Sequence, residues 1–152
     1  MLFRASEHSF RSDAFHYKCD NRQDTLVLIR TEFGKTIGGF THYPWNSSGE
    51  WLHDSNCKAF IFSLDMKKKF VANSGRYLIY SKSCYGPVFG GGFDICISNG
   101  CDSNRNSSAY FPCTFNSLGA KRLVNSEETW SMFSGDKNFR IEEYEVFQLF
   151  FE

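Results

Sequence analysis

The stretch YGPVFGGGFDICI, residues 85–97, constrains this chain most. A turn block, Tyr85-Gly86-Pro87, leads to three consecutive glycines, Gly90, Gly91 and Gly92. Phe93-Asp94-Ile95-Cys96-Ile97 then alternates as a strand does. Glycine admits positive φ and close approaches that a Cβ blocks. Three in a row before a strand predict a strand-entry turn or bulge. A phosphate cradle is the competing use of such a run. A Walker-type loop needs Gly-Lys-Ser/Thr after the glycines, which is absent, and the GxGxxG spacing fails because position 95 is Ile.

The rest of the chain reads as strand-rich. Ser12–Cys19 predicts a short helix, with Phe15 and Cys19 four apart on one face. Thr25–Thr31 carries Leu26-Val27-Leu28-Ile29, apolar on both faces, which predicts a central strand buried on two sides. Residues 32–35 form a turn around Gly34, and Thr36–Thr41 returns, with Gly38 and Gly39 marking a close approach. Residues 44–56 read as an irregular loop that folds Trp45 and Trp51 over the core. Further strands are expected over 59–64, 76–80, 93–98 and 138–150, and a polar loop over 99–106. In the last strand Tyr144 and Val146 face one way, Glu143 and Glu145 the other. The expected core residues are Leu26, Leu28, Phe60, Phe62, Ile95, Ile97 and Val146. Aromatics make up 18% of the chain, 17 of them Phe, which suits strands and aromatic cores.

YGPVFGGGFDICI resembles the YGPTFGGGHD-type segment of TLDc domains, the module of the oxidation-resistance proteins. MLFRAS and SDAFHYKCDN are similar to the entry segment of that family. TLVLIRTEFGKTIGGFT is similar to its first hairpin. PWNSSGEW, AFIFSL and FRIEEYEVFQ follow in the family's order. The resemblance spans residues 1–152, read as one domain. The family's His after the glycines is Phe93 here, so that histidine's role does not carry over. The resemblance implies an α+β fold, two antiparallel β-sheets packed as a sandwich with short flanking helices. It also implies oxidative-stress protection and, for several members, binding and regulation of the vacuolar-type proton-pumping ATPase (V-ATPase).

Composition fits a protein partner better than a polyanion. Seventeen basic and seventeen acidic residues give a formal charge of zero, which favours neither nucleic acid nor an anionic membrane. Lys67-Lys68-Lys69 reads as a solvated turn. No run approaches the ~18 apolar residues of a transmembrane helix, and the polar start MLFRASEHSF is unlike a signal peptide. An intracellular location is expected, cytoplasmic or on the cytoplasmic face of an organelle. The sequons at Asn46 and Asn106 then read as chance matches.

Candidate chemistry is sparse. The six cysteines form no CxxC pair. Cys19 and Cys96 read as small buried hydrophobes. Cys101 and Cys113 lie in polar loop sequence, and their exposure would make them oxidant-reactive. His16 and Cys19 share a helix face as a possible metal pair, with a satisfied surface histidine as the alternative. A Cys–His hydrolase whose partners meet only in the fold stays open. No GxSxG, HExxH or EF-hand loop occurs, and no cofactor is expected. Asp94 with Glu142, Glu143 and Glu145 reads either as acid–base carboxylates or as acids facing water or a basic partner. The favoured expectation is a non-catalytic interaction module whose surface combines Gly90, Gly91, Gly92, Asp94, Glu143 and Glu145. The alternatives are a structural subunit of a large assembly, and a scavenger acting through Cys101 and Cys113.

Overall fold

Strand pairing organises the chain into two stacked antiparallel sheets. The computed structural model describes residues 1–116 and 123–152. The elements run β1 (Phe3–Arg4), α1 (Ala5–His8), α2 (Ser12–Cys19), β2 (Thr25–Thr31), β3 (Thr36–Thr41), β4 (Glu50–Leu52), β5 (Ala59–Ser63) and β6 (Lys68–Val71). They continue with β7 (Ile79–Ser81), β8 (Tyr85–Phe89), β9 (Ile95–Ser98), β10 (Ser107–Ser108), α3 (Glu127–Phe133), β11 (Asn138–Phe139) and β12 (Ile141–Gln148). Among the described residues each sheet has six strands, ordered β1-β12-β2-β3-β5-β6 and β11-β10-β9-β8-β7-β4. This is the α+β sandwich expected from the resemblance.

The β2–β3 hairpin forms where the sequence places it, with Gly34 at φ +74° in its turn. The two sheets meet closely at Gly39. A Cβ there would lie 2.6 Å from the Phe89 ring of β8. Phe89 in turn packs edge-on against Trp45, and Trp45 against Phe15 of α2, each at 5.5 Å between centroids. Trp45 is fully buried and donates from Nε1 to Thr25 Oγ1 at 2.9 Å, which satisfies its polar handle. A second cluster stacks Phe111 on Phe133 of α3 at 4.2 Å, with Phe70 of β6 against Phe111 at 4.6 Å.

Several expectations are corrected. Ile95, Ile97 and Val146 are buried, but Leu26, Leu28, Phe60 and Phe62 are not core residues. Val27, Ile29 and Ile61 take the inner face instead. Both faces of β2 and β5 are apolar, so alternation alone cannot choose between them. The choice falls to the inter-sheet layer, where Phe89, Trp45 and Phe15 already supply bulk and the compact β-branched side chains fit between them. β2 is therefore buried on one face and half-buried on the other.

Tyr85-Gly86-Pro87 is not a turn but the start of β8. A register shift between Tyr85 and Val88 accommodates Pro87, as bulges do. Lys68 and Lys69 belong to the edge strand β6, and only Lys67, at φ +55°, turns the chain. Trp51 lies in β4, stacked on Tyr80 at 4.5 Å rather than folded over the core. The 138–150 strand is two strands. β11 joins the second sheet and β12 the first, with Arg140 between them. Strands begin at Ile79 and Ile95, later than expected.

Candidate functional site

The glycine triplet closes the β8–β9 hairpin and seats a distant loop. Gly90 has φ +88°, and its carbonyl accepts from Phe93 N at 3.0 Å. Phe93 itself is left-handed at φ +59°. Asp94 is wholly buried beneath the turn. Its carboxylate accepts from three successive backbone amides, Cys113 at 2.7 Å, Thr114 at 2.9 Å and Phe115 at 3.2 Å. Gly91 N donates to Thr114 Oγ1 at 2.9 Å. A Cβ on Gly90 would strike Asp94 Oδ1, and one on Gly92 would strike Cys113 Sγ. Gly91 faces Tyr77, whose Cβ would be 2.7 Å from an added methyl. All three glycines are thus explained by close packing, the structural use of such a run. Burial pushes the Asp94 carboxyl up, against the pull of its three amide bonds. As a buried group Asp94 presents nothing to a partner.

Glu143 and Glu145 do project together from the outer face of β12. Neither is free. Glu143 Oε1 accepts from Ser6 N and from its neighbour Tyr144 N, both at 3.1 Å. Glu145 pairs with Arg4 at 3.3 Å. The two acids therefore brace the N-terminal β1–α1 arm. With Leu28, Arg30 and Thr36 they also line a shallow notch of about 240 Å³.

That notch belongs to a larger apolar face. The outward residues of the first sheet form two cross-strand rows. One is Phe147, Leu26, Phe40, Phe60 and Val71; the next is Glu145, Leu28, Gly38, Phe62 and Lys69. Their apolar side chains are half-buried or exposed. Phe40 stacks on Phe60 at 5.3 Å, the Phe62 ring lies across Gly38, and Lys69 Nζ sits 5.0 Å above Phe60. Contiguous exposed apolar surface of this kind marks interaction sites in soluble proteins.

The cysteines separate by burial. Cys101 is fully buried, contrary to its polar loop setting, with its thiol turned inward toward the Phe10 carbonyl at 3.9 Å. Burial pushes the thiols of Cys19, Cys96 and Cys101 up to about 12. Cys113 is exposed, yet desolvation and then the Asp94 charge raise its thiol as well. Neither cysteine of the scavenger reading sits where thiolate is favoured. His16 is neither a surface histidine nor half of a metal pair with Cys19 but a buried bracket. Nδ1 lies 2.7 Å from Asp20 Oδ1, and Nε2 lies 2.9 Å from the carbonyls of Lys82 and Tyr85.

Sequence reading missed the cluster at the far end of the apolar face. His42 Nδ1 lies 2.6 Å from Asp24 Oδ1. Both line a cavity of about 520 Å³ together with Cys57. No spacing motif announces it, since its members come from three separate segments.

Among the described residues no helix is long and apolar enough to cross a membrane. Comparison with curated proteins finds no match. A family model described as the TLDc domain matches residues 1–150. Membership of that family points to an oxidation-resistance-type function and to protein interaction. The hairpin seated by its glycines, the sandwich and this match together place the chain in the TLDc domain family.

Proposed function

We propose that the chain acts as a single-domain interaction module that binds and regulates the vacuolar-type proton-pumping ATPase, on the cytoplasmic face of the organelle that carries it. Protection against oxidative stress follows from that regulation, and the contact itself needs no chemistry. The observation that carries the reading is the outer face of the first sheet. Its row Leu26, Phe40, Phe60 and Val71 is more apolar than a water-facing antiparallel sheet needs to be. Family membership supports a protein partner, and the resemblance's implication of the pump motivates this choice of partner. The apolar rows supply the contact area, and Glu143 and Glu145 at one rim favour a basic counterpart.

Rim charges act mainly on association rate and salt dependence, so each contributes modestly. The apolar centre carries the affinity. A tagged full chain should therefore recover pump subunits from the native cell type, more at low salt than at high salt. Phe60→Glu should reduce recovery at least tenfold while the melting temperature stays within a few degrees. Glu145→Gln should weaken recovery less, and mostly at low salt. Recovery of no pump subunits by the parent chain overturns the partner assignment. A different stable assembly in their place supports the structural-subunit role.

A further inference from the structure

We propose that Cys57, His42 and Asp24 form a thiol acyl-acceptor site, in which Cys57 takes an apolar acyl group from an activated ester or thioester. The proposal does not rest on partner binding: its cavity shares Phe40, Phe60, Val71 and Lys69 with the outer face, but its reacting atoms belong to Cys57, His42 and Asp24.

Backbone pairing builds the site. Asp24 N donates to the His42 carbonyl at 3.2 Å, and His42 N donates to the Lys58 carbonyl at 3.1 Å. The segments before β2, after β3 and before β5 therefore run side by side, and residues 24, 42 and 57 come to one end of the sheet. Asp24 Oδ1 sits 2.6 Å from His42 Nδ1. A carboxylate on Nδ1 fixes the ring so that Nε2 is the nitrogen left to accept a proton. His42 Nε2 makes no hydrogen bond within the described residues, unlike His16, whose two ring nitrogens are both engaged. The Asp24 side chain is 16% exposed and that of His42 is 41% exposed, so the orienting acid is the more protected and the ring reaches the cavity.

Cys57 lines the same cavity, half-buried, at φ +50°. A non-glycine residue in the left-handed region is uncommon, and such residues gather at functional sites. Its sulfur makes no hydrogen bond to His42, and catalytic bonds of this kind often tighten only around substrate. The cavity is of ligand size. Its walls are aromatic, formed by Phe40, Phe60 and Phe151. Lys58 and Lys69 at its rim make no ion pair among the described residues. Their positive field favours an oxyanion on an acyl carbonyl. Polar residues converging on an apolar cavity specify an acyl chain with a reactive carbonyl at one end.

The step balances as follows. His42 Nε2 takes the Cys57 thiol proton as sulfur attacks the carbonyl carbon. The carbon–sulfur bond forms, and the bond to the leaving thiol or alcohol breaks. The leaving group departs with the proton returned from His42. The acyl group stays on Cys57, its chain along the wall that Phe40, Phe60 and Phe151 form.

The test uses the full chain with p-nitrophenyl hexanoate, following p-nitrophenolate release and locating the hexanoyl group by peptide mass spectrometry. Cys84 and Cys113, the exposed thiols, are internal controls. Cys57 should acylate at least tenfold faster than either. His42→Gln and Asp24→Asn should slow that step at least fivefold with melting temperature unchanged, and Cys57→Ala should abolish it. Should Asp24→Asn fail to fold, His42→Gln decides. Acylation of Cys57 no faster than that of Cys84, or a smaller fall in folded His42→Gln, overturns the proposal.

Discussion

Asp94→Ala should cost about 2–4 kcal/mol, and the figure follows from its three amide partners. Removing the carboxylate strands the N–H groups of Cys113, Thr114 and Phe115. The bond to Phe115 is buried, and an unsatisfied buried donor costs about 1–3 kcal/mol. The bonds to Cys113 and Thr114 are part-buried, so water recovers some of their loss, about 0.5–1.5 kcal/mol each. Relief of the burial that raises the Asp94 carboxyl offsets part of the sum. For a chain of this length about 2–4 kcal/mol lowers the melting temperature by about 4–16 °C. Gly90 supplies the stricter check. Gly90→Ala forces a methyl onto Asp94 Oδ1 and places alanine at φ +88°. With Asp94 cut back to alanine the clash with Oδ1 is gone; the remaining Cβ lies at a tight 3.1 Å, and the backbone cost of about 1–2 kcal/mol remains. The double variant should then be more stable than the sum of the singles predicts, by about 0.5–3 kcal/mol. Urea melts of the four proteins measure this. Additivity within ~0.3 kcal/mol, or Asp94→Ala melting like the parent, refutes the account of the glycine turn as a seat for residues 113–115.

Adjacent residues of β2 test the face assignment. Ile29→Ala should cost about 2–5 kcal/mol in urea denaturation, and Leu28→Ala clearly less, because only Ile29 is fully buried. Gly39→Ala should destabilise strongly, since its methyl would sit 2.6 Å from the Phe89 ring with a packed sheet behind it, and Phe89→Leu should restore part of the loss. Timed labelling of the native protein with a thiol disulfide reagent should modify Cys84 quickly, Cys113 more slowly because its thiol is raised, and leave Cys19, Cys96 and Cys101 protected until unfolding.

What the sequence made legible and what it did not divide along physical lines. The helix Ser12–Cys19 and the β2–β3 hairpin were readable because each carries its own local signal, an amphipathic spacing or a glycine turn. The glycine triplet was readable as packing because no phosphate-binding residues follow it. Face choice on β2 and β5 was not readable. Leu26 and Val27 are equally apolar, and what separates them is Phe89 arriving from a strand some sixty residues later. The break at Arg140 was hidden for a similar reason. The stretch from Asn138 to Gln148 is uniformly strand-like, and only its pairing partners, Ser107 and Ser108 on one side and β2 on the other, reveal the change of sheet. Helix α3 did carry a signal, Ser126 accepting from Thr129 N with Glu127 and Glu128 in the first turn, but seven residues make a short pattern.

The same distinction governs the functional surface. Glu143 and Glu145 were legible as an outward pair, because alternation with Tyr144 and Val146 fixes them on one face. Their engagement was not, since Ser6 and Arg4 reach them from the opposite end of the chain. Asp24, His42 and Cys57 lie 18 and 15 residues apart, a spacing that matches no motif. They meet because β2, β3 and β5 are successive neighbours in one sheet and each residue lies just beyond a strand end. Strand ends on one side of a sheet collect residues that sequence separation keeps apart, and there side chains are free of the alternation that buries their neighbours. A reactive constellation in this fold is therefore expected beyond the strand termini and not within the rows of the sheet, and the cavity-lining set Cys57, His42 and Asp24 lies there.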